Sequence, residues 1–445
     1  FADIVFDRVV SGNQIEINDL DPGRYFWRVA ALTTNLGEFS SAGVIEVRSA
    51  PTNAVPRPDP TVTSTIVPFG GWRAAIGNIS DLVTAHLRSP NQTDLLALNA
   101  SGFVFAIDAA SGVVLWTARS KPESRPALTR PAVLIVPTQS RLDNVVVLRG
   151  NNVTEIDGAT GRELWRTALP APASSGTLIS DRGGARLIAI IDASRQQVFT
   201  INDASGTLTA QLKLPARLVG APLAVSAPNQ TVLALGYESG DLEIRDLSGA
   251  LLRSANVGSP ATTPPLFVRG RNGDLILLGT QAGLTALGAS DLRALGRVAI
   301  PNDSPRGTLA AQDLDGDGAA EVIMATERGH LVAVNATDGK IIWDVPANDF
   351  GASLSFADLN GDRVLDVFIS GDRKSTMAVS GNDGSILWKD MPASSFATNH
   401  AATSAIHDLV VIPYPNSVLL VAVEPSGTGL RALSFSNAPV RPDLR

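Results

Sequence analysis

Four carboxylates stand at alternate or near-alternate positions in Asp313-Leu-Asp315-Gly-Asp317-Gly-Ala319-Ala-Glu321. A hard cation such as calcium takes about six to eight oxygen ligands, and a loop offering side chains at positions one, three and five can wrap it. The backbone carbonyl of Ala319 and the carboxylate of Glu321 would complete the set. Gly316 and Gly318 allow the tight turn such wrapping needs. A second stretch keeps the spacing, with Asp358, Asn360, Asp362, the carbonyl of Val364, and Asp366. Here Arg363 takes the place of the second glycine and adds a positive charge. Clustered carboxylates repel one another unless a cation lies among them. Calcium is therefore the expected cofactor of both loops, in a structural role.

Little else in the chain has the makings of a reactive centre. There is no cysteine among 445 residues, which excludes thiol catalysis, disulfides and cysteine-held metals. The histidines are His86, His330, His400 and His407. None lies in a His-Glu-x-x-His helix, and no Gly-x-Ser-x-Gly nucleophile elbow occurs. His400 and His407 fall near Asp408, but proximity along the chain does not make a triad. No catalytic residue is assigned. A net charge of -7 argues against a nucleic-acid surface, which would need a basic stripe. No apolar run reaches the roughly 18 residues of a membrane helix, so no transmembrane segment is expected.

The acidic loops belong to a repeat. Residues 101–116 align without gaps on 150–165, and both align on 328–343 and 373–388. Each of these copies ends on a tryptophan: Trp116, Trp165, Trp343 or Trp388. Weaker copies run 195–210, 239–253 and 282–296, and a remnant stands at 427–435. Each copy holds a continuous apolar strand such as Val145-Val-Val-Leu148, as a strand buried on both faces requires. An alternating strand and a polar-edged outer strand follow. Eight copies at a period of about 45 residues match four-stranded propeller blades. The predicted fold is all-β, an eight-bladed β-propeller over 61–440. The constant place of the tryptophans predicts packing between blades rather than a ligand cage. Asp108 and Asp157 are expected to bond the backbone of the turns that precede Gly112 and Gly161.

The repeat resembles the quinoprotein-like, or PQQ-type, propeller repeat. The carrying residues are Asp108/Gly112/Trp116, Asp157/Gly161/Trp165, Asn335/Gly339/Trp343 and Ser380/Gly384/Trp388. The two acidic loops resemble FG-GAP repeats, whose loops bind calcium. Residues 1–50 differ from the rest and resemble the C-terminal half of a fibronectin type III domain. That likeness is carried by Leu20, Pro22-Gly23, Tyr25, Trp27-Arg28-Val29 and Phe39-Ser40. A small N-terminal partial β-sandwich is therefore predicted. The prolines at 51, 56, 58 and 60 mark a linker.

These resemblances imply a non-catalytic, extracytoplasmic propeller of periplasmic, cell-surface or secreted location. It would act as a protein-interaction or scaffold module with a protein partner. One alternative is a PQQ-dependent dehydrogenase. Such enzymes usually stack the quinone on a disulfide between adjacent cysteines, and this chain has none. Another is a carbohydrate-binding or carbohydrate-processing propeller. The ring should close through its N-terminus. The prolines after Asn437 exclude a fourth strand in the last blade, and the β-branched stretch 61–67 is predicted to pair there with 430–435.

Overall fold

The computed structural model describes residues 23–27, 30–32, 36–39, 43–47, 66–120, 132–138, 140–180, 186–226, 230–270, 273–300, 302–347, 350–371, 376–390, 407–424 and 428–437. The chain divides into two compact units, Phe1–Pro60 and Thr61–Arg445. In the first, Gly23–Trp27 pairs antiparallel with Gly43–Val47, and Ala30–Leu32 pairs with Leu36–Phe39. The Pro-rich stretch 51–60 lies outside the described residues.

The second unit is an eight-bladed β-propeller, and every element described in it is a strand. Blades 1 to 7 are four-stranded antiparallel sheets in chain order, spanning 79–119, 132–168, 173–213, 223–256, 266–298, 305–346 and 350–390. The first strand of each blade touches the first strands of the blades on either side, and this contact runs round the whole ring. Those strands are therefore innermost. Second strands such as Thr231–Gly236, Glu321–Thr326 and Asp366–Gly371 are buried at every residue. Their apolar runs are what a strand covered on both faces demands. Outer strands such as Leu251–Asn256 lie largely in solvent.

Blade 8 takes three strands, Leu409–Tyr414, Ser417–Val423 and Leu430–Ser436, from the C-terminus and its outer strand, Gly70–Ala74, from the N-terminus. The ring is closed by an N-terminal strand, but not by 61–67. Leu430 pairs with Ala74 and Ser434 with Gly70, while 66–69 form no strand and 61–65 lie outside the described residues. Two features decide for the later segment. A Cβ at Gly71 would strike the Ala432 carbonyl at 1.9 Å, so only glycine lets the backbone come this close. Trp72 also reaches the next blade.

That reach is repeated round the ring. The indole Nε1–H of Trp72 donates to the Ala109 carbonyl at 2.8 Å. Trp116 donates to Gly158, Trp165 to Asp203 and Trp343 to Gly381, at 2.8, 2.7 and 2.8 Å. In each case the acceptor is the second residue of the turn between third and outer strand of the following blade. The glycine closing that turn lies beneath the ring. A Cβ at Gly112 would sit 2.6 Å from the Trp72 ring, at Gly161 2.8 Å from Trp116, and at Gly206 2.6 Å from Trp165. These glycines also hold φ values of 74°, 74° and 68°, where a side chain is strained. Asp108 and Asp157 set the turns by accepting backbone N–H bonds from Ser111 and Thr160.

Blades 3, 4 and 5 lack the latch. Thr200 pairs with Ala210, Ile244 with Arg253 and Ala286 with Gly296, each beside the same bulge at which Ala106 pairs with Trp116. Trp388 of blade 7 instead packs edge-on against Phe435, with centroids 5.0 Å apart.

Asp81, on the innermost strand of blade 1, ties three blades together and is 1% exposed. Its carboxylate accepts the N–H groups of Leu82, of Val133 in blade 2 and of His407 before blade 8, at 3.1, 2.8 and 3.1 Å. The His407 ring Nδ1 lies 2.8 Å from the same carboxylate. His86 and His330 similarly face Asp143 and Asp344, and His400 lies outside the described residues.

The latch predicts unequal costs for one substitution. Gly161→Ala and Gly339→Ala share the strain of a positive φ, but the new methyl meets the Trp116 ring only at Gly161; at Gly339 its nearest neighbour is Val298 at 3.2 Å. Gly161→Ala should cost about 1–3 kcal/mol more, measured by urea unfolding.

The hydrogen bond to Asp81 raises the pKa of His407 above its ordinary value, against the opposing effect of burial. The stabilisation is fully present below the unfolded pKa, about 6.5, and is lost as pH rises through the raised folded value. The side chain is 54% exposed, so solvent screening keeps the effect small. Melting temperature should fall between pH 6 and pH 8, and His407→Gln should reduce that fall.

Candidate metal centre

Both acidic loops join the innermost strand of a blade to its second strand, in blade 6 and blade 7. The bonds from their backbone N–H groups to their own side chains follow one pattern. Asp313 accepts the N–H groups of Gly316 and Gly318 at 2.8 and 2.9 Å, and Asp358 those of Gly361 and Arg363 at 2.7 and 3.0 Å. Asp315 accepts from Asp317 at 3.0 Å, as Asn360 does from Asp362 at 2.9 Å. Asp317 holds the Ala319 N–H at 2.6 Å, and Asp362 the Val364 N–H at 2.8 Å. Each loop closes on a buried acid. Glu321 takes the Leu314 N–H at 3.0 Å and Asp366 the Leu359 N–H at 2.8 Å.

The first loop brings carboxylate oxygens of Asp313, Asp315 and Asp317 within 4.8 Å of one another, the one such group among the described residues. An ionised carboxylate has about four lone-pair sites, so these N–H bonds leave acceptor capacity for a cation. The donor set is all oxygen, which suits calcium. Glu321 lies outside that group and is turned into the blade, where Asn335 Nδ2 donates to its other oxygen at 3.3 Å. Burial pushes its pKa up, as do the charges of Asp315, Asp317 and Asp313.

The second loop is the same cradle with its charge partly quenched. The Asn360 amide donates to Asp362 at 3.0 Å, where the first loop has a third aspartate. Asp366 is 0% exposed. Burial, then the charges of Asp362 and Asp358, push its pKa up to about 7. Arg363 adopts φ 73° at the place where Gly318 has 82°, so the turn forms in spite of the exchanged residue.

The loops also touch. The Leu365 N–H donates to the Leu314 carbonyl at 2.8 Å, and Leu314, Val364 and Leu365 share one apolar cluster with Trp343. Anything that orders the first loop therefore steadies the joint between blades 6 and 7. Spacing could not reveal this contact, nor the inward turn of Glu321.

Residues 14–245, and an overlapping stretch at 100–288, match the family described as outer membrane protein assembly factor BamB, together more than half of the chain. The chain belongs to that family. Residues 313–369, which span both acidic loops, match the FG-GAP-like repeat. No curated protein matches the chain. Among solved structures, BamB from Moraxella catarrhalis is 16% identical, with 83% of this chain and 99% of that one covered at a TM-score of 0.55. Sqt1 of Saccharomyces cerevisiae is 10% identical, with 83% and 98% covered at 0.59. The computationally designed Ika8 protein is 14% identical, with 83% and 99% covered at 0.54. At these identities the likeness to each structure is one of fold.

The matched turns allow a paired test of strain. Arg363→Gly should stabilise the protein by up to about 1 kcal/mol, because a non-glycine residue leaves the left-handed region. Gly318→Ala should destabilise it by about 1 kcal/mol for the converse reason. Urea unfolding of both variants should give opposite signs.

Proposed function

We propose that this member of the BamB family is a non-catalytic propeller that binds protein outside the cytoplasm, with calcium holding the loops of blades 6 and 7. The observation that carries the scaffold reading is the family match itself, since the family is described by an assembly factor. A ring of short, latched blades gives many exposed edges and loops on a rigid frame, and such frames serve recognition. The first 50 residues, read as a fibronectin-like module, fit the same extracytoplasmic setting. The clustered carboxylates of Asp313, Asp315 and Asp317 support the calcium reading. Ala319 and Glu321 would complement them in the first loop, and Asp358, Asn360, Asp362, Val364 and Asp366 form the weaker second cradle.

The PQQ-dependent alternative lacks a cysteine pair on which to stack the quinone, and the described histidines each face a separate carboxylate. The purified protein should give no PQQ-dependent oxidation of alcohols or sugars with an artificial electron acceptor. Cross-linking in its own cells should yield a discrete protein adduct. PQQ-dependent turnover, or the absence of any adduct, would overturn the scaffold reading.

Calcium should raise the melting temperature of the protein. Binding to the native state alone adds about 2.7 kcal/mol at a hundredfold excess over Kd. Chelation should reverse the rise and Asp315→Ala should blunt it. Indifference to both calcium and chelator would remove the ion from the account.

A further inference from the structure

The missing latches from blade 4 to blade 5 and from blade 5 to blade 6 leave a groove that runs over blade 5. It has a volume of about 1120 Å³ and is lined by Gly296, Ala336, Gly339, Leu252, Leu295 and Phe267, among others. Gly296 stands at the tryptophan position of blade 5, opposite Ala286, and a Cβ built on it meets nothing within 4 Å. Across from it the receiving turn of blade 6 is intact. Asn335 Oδ1 accepts the Thr337 N–H at 2.9 Å, Gly339 keeps φ 71°, and Ala336 corresponds to the acceptors Ala109, Gly158, Asp203 and Gly381. At three other turns a Cβ built on the corresponding glycine would meet an indole ring at 2.6 to 2.8 Å; one built on Gly339 first meets Val298, at 3.2 Å. The receptor for an indole is built and the chain supplies none.

We propose that this groove binds a tryptophan side chain carried by a partner polypeptide, its ring over Gly339 and its N–H donating to the Ala336 carbonyl. The inference rests on the protein-binding reading above and names the chemistry of the partner. The groove's volume exceeds the roughly 300–1,000 Å³ of small-molecule pockets, which leaves room for chain on either side of the ring. Leu252 and Leu295, 41% and 57% exposed, lie along it and offer that chain an apolar floor. Charge indicates what flanks the tryptophan. Arg253 and Arg269 line the groove, are exposed, and have no bonding partner among the described residues. Arg297 lines it too and bonds only neutral oxygens. Of the lining carboxylates, Asp338 is paired with Lys340, leaving Asp274 and Asp291, the latter held only by the Arg293 N–H. Three guanidiniums against two carboxylates without a cationic partner leave one positive charge in excess, which favours acidic neighbours. Tryptophan is also among the side chains enriched at the anchoring positions of protein interfaces.

The test uses a fluorescein-labelled, blocked pentapeptide Ser-Glu-Trp-Glu-Ser, titrated with the full chain by anisotropy. Binding should saturate and should weaken at least about tenfold when leucine replaces the tryptophan, which corresponds to about 1.4 kcal/mol. A 1-methyltryptophan version, which keeps the ring and loses the N–H, should also bind more weakly. Gly296→Trp should abolish binding by filling the site from within. Should Gly296→Trp misfold, Arg253→Glu, an exposed change, must still weaken the acidic peptide. Non-saturating titration, or equal binding to wild type and Gly296→Trp, would overturn the proposal. So would N-acetyl-tryptophanamide competing as well as the peptide, which would point to a free indole. A cross-linked partner that still binds Gly296→Trp would sink this inference alone, whereas no partner at all would sink the reading beneath it.

Discussion

An indole lying on a glycine is the contact on which this propeller depends. Antiparallel pairing builds each blade but says nothing about how blades stand to one another. At four joints of the ring the outer strand supplies that information through one side chain, which crosses to the next blade and donates to a fixed carbonyl. The receiving turn must be glycine for two independent reasons, a positive φ and the ring above it. Sequence, backbone and packing agree at this point, which is how a repeat specifies one arrangement. Closure follows the same rule. Gly70–Ala74 completes blade 8 as its outer strand and brings Trp72 to the turn of blade 1, so joining the chain's ends repeats the step used inside it.

A second constraint acts at blades 6 and 7. Two turns carry several acids each and bury the last one, and the N–H groups of the turn are arranged around the carboxylates. Those bonds stabilise negative charge without removing it, and the pKa values of Glu321 and Asp366 are raised by burial first and then by the neighbouring aspartates. The loops meet through Leu314 and Leu365, so their charge is an inter-blade matter as well as a local one. A cation would act on the ring as a whole through this joint.

Much of this was legible in the sequence because it is periodic. The eight copies, the strand order, the between-blade tryptophans and the turn-bonding aspartates all follow from residues that recur at fixed places. The weaker copies were visible too, since they end on Ala210, Arg253 and Gly296 where the others end on tryptophan. What that loss does was not visible, because a groove depends on two blades facing each other. The closing strand was misplaced at 61–67 because β-branched residues signal a strand and Gly70-Gly71 signals the opposite. There the close approach of Gly71 to Ala432, and the indole that follows, override propensity. The link between Asp81 and His407 joins residues 326 apart and left no local trace.

Hydrogen exchange at the indole N–H groups tests the latch most directly, because it reads the bond itself. In a nitrogen-15 spectrum the six tryptophans give six indole signals, assignable by single Trp→Phe variants. The account predicts slow exchange for Trp72, Trp116, Trp165 and Trp343, with protection of Trp72 showing that the ring is closed in solution. Exchange of these four at the rate of free tryptophan would contradict it, and would leave those four joints without the contact that sets their blades side by side.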